Sequence, residues 1–181
     1  MKKILWLIRA INGLNDCIGK ATSMLIFLMI FALLWEVLMR YVFHRPTVWA
    51  HEFSTMVYAV FFLLGGAYAL RWNSHVNVEI IYEKFSPKTK AAVDLLTWSL
   101  FYFFYIVMLW KGATYAWTAT MRLEKSSTIW GPPIWPIKLF IPISALLFLL
   151  QGLSKTLSDV VMLLTGRDVI QADENDAGPS Q

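Results

Sequence analysis

Charge is scarce in this sequence. Only 15% of its 181 residues are Asp, Glu, Lys or Arg, where soluble domains carry about 25%. With 57% hydrophobic residues and a mean hydropathy of +0.54, the shortage excludes an ordinary water-soluble domain. Cysteine is nearly absent. Cys17 stands alone, which excludes an intramolecular disulfide or a thiolate cluster and leaves the redox compartment open. Catalytic signatures are missing too: there is no nucleotide-binding glycine loop, no GxSxG elbow and no HExxH, so no enzyme is read. The three histidines, His44, His51 and His75, sit in loops or at helix ends. A bis-histidine haem would want ligands facing inward within spans, so no cofactor is expected. A haem- or quinone-associated anchor of a redox complex remains the alternative. No internal repeat argues for a self-contained secondary transporter. The net charge of +4 does not point to nucleic acid, because no RNA-reading motif accompanies the basic residues.

What the chain does have is long apolar runs. Spans of about 20 residues are needed to cross about 30 Å of hydrocarbon, and four segments supply them: 21–42, 53–70, 91–111 and 136–154. The fold expected is therefore an all-α integral membrane protein with four transmembrane helices, residues 1–168 forming one domain and the acidic tail 169–181 disordered. Before the first span, Ile4, Leu7, Ile8, Ile11, Leu14 and Ile18 recur at helical spacing with Arg9, Asn12, Asp16 and Lys20 on the other face. That pattern predicts an N-terminal amphipathic helix, either lying on the surface among membrane lipids or extending the first span. Between spans two and three, Val78, Ile81, Tyr82 and Phe85 share one face of an interfacial amphipathic helix, and Ser86-Pro87 reads as an N-cap with proline at the first helical position. In the third span Phe101, Phe103, Phe104 and Tyr105 form an aromatic stripe read as packing surface.

The charges that do fall in apolar sequence carry the information. Glu36 and Arg40 are four residues apart at the end of the first span, close enough to pair on one helical face. Either they form a polar seam facing another membrane protein, or they lie near the interface with Arg40 snorkelling outward. Pro46 then stops the helix, and Thr47 to Glu52 re-enter it, with Glu52 suited to the positive end of the next helix. Gly65 and Gly66 would let another backbone approach closely. Lys and Arg are concentrated before span one, between spans two and three and after span four, which places both termini in the cytoplasm.

Three stretches, in order, carry a family resemblance: RYVFHRPTVWAHEF (Arg40 to Phe53), FLLGGAYALRWNSHVNVEIIYEKFSP (Phe62 to Pro87) and WGPPIWPIKLFIPISALLFLLQGL (Trp130 to Leu153). Together they resemble the small membrane (Q) subunit of tripartite ATP-independent periplasmic (TRAP) transporters. Glu79 departs from the Asp of many relatives and keeps the charge. The resemblance implies a bacterial inner-membrane heterodimer with a large (M) subunit that carries sodium-coupled transport. A periplasmic binding protein would deliver an organic acid. Glu36, Arg40, Gly65 and Gly66 would then lie at the subunit interface. Arg45, Trp49, His51 and Glu52 would order the periplasmic turn, and Trp130 and Trp135 would lie near the docked binding protein. Arg71, His75 and Glu79 would fix the interfacial helix.

Overall fold

The computed structural model describes residues 2–71 and 87–165. They form four helices: α1 (Lys2–Tyr41), α2 (Ala50–Arg71), α3 (Pro87–Met121) and α4 (Trp135–Thr165). Each contains a stretch long and apolar enough to cross a membrane: Trp6–Tyr41, Ala50–Arg71, Leu96–Met121 and Trp135–Ser158. The interfacial helix expected before α3, with His75 and Glu79, and the tail 169–181 lie outside the described residues. α3 does begin at Pro87, where a missing N–H costs nothing because the first turn has no partner for it.

Of the two readings for the N-terminus, the structure has the extension. α1 runs unbroken for 40 residues, about 60 Å at roughly 1.5 Å per residue. Its facing cuts across both stripes, since Ile8 and Ile11 are buried at 0% and 5% exposure and Arg9 and Lys20 are exposed. Asn12 and Asn15 are buried at 4% and 1% exposure, while Leu7 and Leu14 point outward. Beside lipid an apolar side chain gains little by turning inward, so Asn12 and Asn15 can take the interior, where they find partners, alongside Ile8 and Ile11.

α4 is the hub. It packs on all three other helices, and α3 rests chiefly on α4. Close approach is bought with small residues: Ala32, Ala50, Ala67, Ala116, Ala119 and Ala145 are all buried. The ring of Tyr68 covers Gly19 between α1 and α2, and Phe101 of α3 covers Gly152 of α4. The aromatic stripe of α3 divides accordingly. Tyr105 stacks on Phe148 at 4.4 Å, and the Tyr102 hydroxyl lies 2.8 Å from Thr156 Oγ1. Phe103 and Phe104 face outward.

Candidate functional site

Two loops, 42–49 and 122–134, share one end of the bundle, the loop end; the start of α1 and the last turns of α4 share the other, the terminus end. At the loop end α1 closes through Phe43 N–H on Leu38 O (3.2 Å) and Arg45 N–H on Met39 O (2.9 Å). His44 adopts φ 54°, a left-handed turn that is uncommon outside glycine. Pro46 follows, and the reversal brings Thr47 back over Glu36. Glu36 is then satisfied on both oxygens. Arg40 Nε and Nη2 donate to Oε1 at 3.0 and 2.5 Å, the Thr47 amide donates to Oε2 at 3.0 Å, and the Thr47 hydroxyl donates to the same oxygen. The expected Glu36–Arg40 pair is present, and Thr47 is the partner that sequence spacing does not disclose.

The second loop is a short hairpin. α3 ends as α1 does, with Leu123 at φ 44° and Glu124 N–H on Ala119 O at 3.0 Å. Ser126 N–H then donates to Pro132 O at 2.8 Å and Ile134 N–H to Glu124 O at 3.0 Å. Gly131, at φ +60°, makes the return turn. Three contacts tie this hairpin to the bundle. The Thr128 hydroxyl donates to Glu52 Oε2 at 2.6 Å, Trp130 lies 6.5 Å from Trp49 between ring centres, and Lys138 Nζ reaches Glu124 Oε2 at 2.7 Å. Lys138 also sits 4.2 Å over the Tyr115 ring, a cation–π contact.

The loop end thus brings together Trp49, Glu52 and Trp130 from the expected set. Arg45 and His51 are exposed, and Trp135 is half-buried in the first turn of α4. Around them Phe43, Val48, Leu123 and Ile129 are exposed, Ile129 at 93%. A hairpin fixed by this many bonds holds its apolar tip in place, which lowers the ordering cost of any contact made there.

The glycine pair divides as well. A Cβ on Gly66 would stand 2.5 Å from Phe148 Cζ, so α4 of the same chain is the helix that approaches it. A Cβ on Gly65 would meet nothing within 4 Å. At the terminus end, Arg71 Nη1 pairs with Asp16 and donates to the Asn12 carbonyl at 2.8 Å, which fastens α2 to α1. Next to it lies a buried amide cluster, Asn12, Asn15, Gln151 and Ser154, that sequence reasoning missed. Its signal was present. Asn12, Asn15 and Asp16 fall at i, i+3, i+4, and Gln151, Ser154 and Ser158 at i, i+3, i+7, two polar stripes on apolar helices of the kind that bind helices together beside lipid.

Comparison with known proteins adds the decisive observation. The family described as tripartite ATP-independent periplasmic transporters, DctQ component, matches residues 29–162, well over half of the chain. The chain belongs to that family. It is a TRAP transporter small permease component and a multi-pass protein of the inner membrane. It is similar to the sialic acid TRAP transporter small permease protein SiaQ of Vibrio cholerae, 26% identical over 87 residues. That match covers 48% of this chain and 49% of the relative, so the chain spans about half the length of that curated protein.

Proposed function

We propose that this chain is the fixed scaffold subunit of its transporter, packed on a large sodium-coupled membrane subunit and helping to dock a periplasmic binding protein that delivers an organic acid. Membership of the TRAP family carries this reading. Both termini are cytoplasmic in it, following the excess of Lys and Arg on that side, and the loop end faces the periplasm. The exposed guanidinium of Arg40 and the open face at Gly65 are the interface residues it favours, because Glu36 and Gly66 already have partners within the chain. Trp49, Glu52 and Trp130 order the docking surface, and the chain holds no cofactor of its own. The family match lends nothing to the redox-anchor alternative.

The test is purification of the tagged chain from its native host. A much larger polytopic protein should accompany it in fixed ratio, and the pair should take up an organic acid with sodium only when the binding protein is supplied. A solitary, fully stable monomer would overturn the reading.

A further inference from the structure

The outer face of α3 carries a seam that no described residue covers. Phe104, Val107, Lys111, Thr114, Thr118 and Met121 are all exposed, and they recur at alternating steps of three and four residues. That is the spacing by which one helix follows another. Thr114 and Thr118 turn their hydroxyls onto the backbone of their own helix, at Trp110 O (3.0 Å) and Thr114 O (2.9 Å). They therefore offer small surfaces that admit a neighbouring backbone. Lys111 stands in the middle of the seam. Its Nζ lies 4.9 Å from the centre of the Trp110 ring, and it forms no ion pair among the described residues.

The depth of Lys111 follows from the contacts between helices. α2 has Glu52 in its first turn and Arg71 in its last, and the uncharged stretch between them marks the hydrocarbon. Gly66 of α2 faces Phe148 of α4, and α4 meets α3 at Phe148–Tyr105, Gly152–Phe101 and Ile141–Gly112. At roughly 1.5 Å per residue these pairs put the same layer at about residues 101–118 of α3, with Lys111 about 10 Å from the loop-end border and about 15 Å from the other. A lysine side chain reaches about 6 Å from its Cα, with bonds of about 1.5 Å. It also sets out toward the helix N-terminus, which in α3 is the terminus end and leads away from the nearer border. Neither headgroup layer is within its reach, and an aromatic ring is weak compensation for a cation held in hydrocarbon. A second copy of this chain, set at the same depth, brings no counter-charge, because each Asp and Glu among the described residues lies at or beyond the edges of that layer.

We propose that Lys111 is one half of an ion pair within the membrane, completed by an Asp or Glu on a helix of the large subunit that lies along this seam. The proposal rests on the assembly described above and adds to it a contact on α3, apart from Arg40 and Gly65. A carboxylate on a protein helix is the anion that can be held at this depth, whereas a lipid phosphate stays at the border.

The test places a photo-crosslinking amino acid at Thr114 of the tagged chain in its native host, with Lys111 intact. Illumination should join residue 114 to the large subunit, in a spanning segment that contains Asp or Glu. Capture of a segment with neither, of a second copy of this chain or of lipid alone, while the large subunit still co-purifies, would overturn the proposal and leave the assembly standing. A wild-type chain that purifies alone would overturn both. Lys111→Met should lower the co-purified large subunit by roughly tenfold or more, since it strands a buried carboxylate, whereas Lys111→Arg should retain most of it. Wild-type recovery with Lys111→Met would equally refute the pair. The amount of tagged chain in the membrane is measured alongside, and if the methionine variant lowers it, the crosslink decides by itself.

Discussion

Gly65 and Gly66 are neighbours in α2 with opposite surroundings, and one methyl group added at each tests how the bundle is packed. Replacing glycine by alanine inside a helix gains about 1 kcal/mol by restricting the unfolded backbone. At Gly65 the new methyl meets nothing within 4 Å, so Gly65→Ala should stabilise the isolated chain by about 0.5–1 kcal/mol. At Gly66 the same gain is opposed by overlap with Phe148, whose Cζ and Cε2 would lie 2.5 and 3.0 Å away. Overpacking of this kind costs about 1–3 kcal/mol. The ring cannot simply swing aside, because it stacks on Tyr105 at 4.4 Å with 17° between planes. Leaving that stack forfeits about 0.5–1.5 kcal/mol.

Gly66→Ala should therefore destabilise the chain by about 1–2 kcal/mol, a factor of roughly 5–30 in the folded-to-unfolded ratio. Reversible unfolding of the purified protein in mixed micelles, followed by tryptophan fluorescence, reads both variants. The decisive measurement is a cycle with Phe148→Leu, which shortens the obstructing side chain. In that background the cost of Gly66→Ala should shrink toward zero or change sign. If the two alanine variants shift stability in the same direction, or if the cycle shows simple additivity, the close approach of α2 and α4 at Gly66 is not what sets the packing.

Further outcomes follow from the two ends of the bundle. Arg40→Ala should lower the recovered yield of the intact transporter more than Arg45→Ala, because Arg40 supplies both donors on Glu36 Oε1 while the Arg45 side chain is exposed; equal yields would contradict this. Trp130→Ala removes the contact with Trp49, worth about 0.5–1.5 kcal/mol, and should reduce binding-protein-dependent uptake while the assembled complex persists. Uptake at the wild-type rate would show that the hairpin is not part of the docking surface. Gln151→Leu strands the Asn15 amide and leaves Asn12 Oδ1 with one donor fewer, which should cost about 1–3 kcal/mol, read as a lowered melting temperature. No shift in melting temperature would mean that the amide chain is not intact in the folded protein.

The parts of this architecture legible in the sequence were those set by solvent and by chain chemistry. Four apolar runs of spanning length and the start at Pro87 each follow from a local rule and are present, while the first helix stops at Tyr41, ahead of the break read at Pro46. The Glu36–Arg40 pair was legible because i, i+4 neighbours must meet on a helix. Thr47 was not, since its approach depends on a left-handed turn at His44, a residue that rarely announces one. The facing of the first turns of α1 was legible only in part, for a physical reason. In water the apolar stripe marks the buried face, whereas beside lipid both faces satisfy the apolar residues and the polar groups decide. Asn12 and Asn15 therefore join Ile8 and Ile11 in the interior, while Leu7 and Leu14 face outward. The division of labour between Gly65 and Gly66 was out of reach, because a sequence does not say whose ring lies opposite.

The connections also explain how a bundle with few large buried side chains holds one shape. α3 touches the rest mainly through α4, so its position depends on a single seam, which runs from Tyr102 on Thr156 through Tyr105 on Phe148 to Gly112 against Ile141. Phe148 serves both sides of that seam, since its ring also closes on Gly66 of α2. A displacement of α3 would therefore be felt in α2 through the Phe148 ring. At either end of the bundle, polar clasps bind helices that the thin apolar core would hold only loosely. Glu52–Thr128 and Glu124–Lys138 fix the loop end, and Asp16–Arg71 with the amide chain fixes the terminus end. Hydrogen bonds of this kind depend on angle and distance where apolar contacts do not, so they select one register among many of similar packing. A partner packed as proposed, against Arg40 of α1 and Gly65 of α2, would then meet a surface whose geometry is set from both ends.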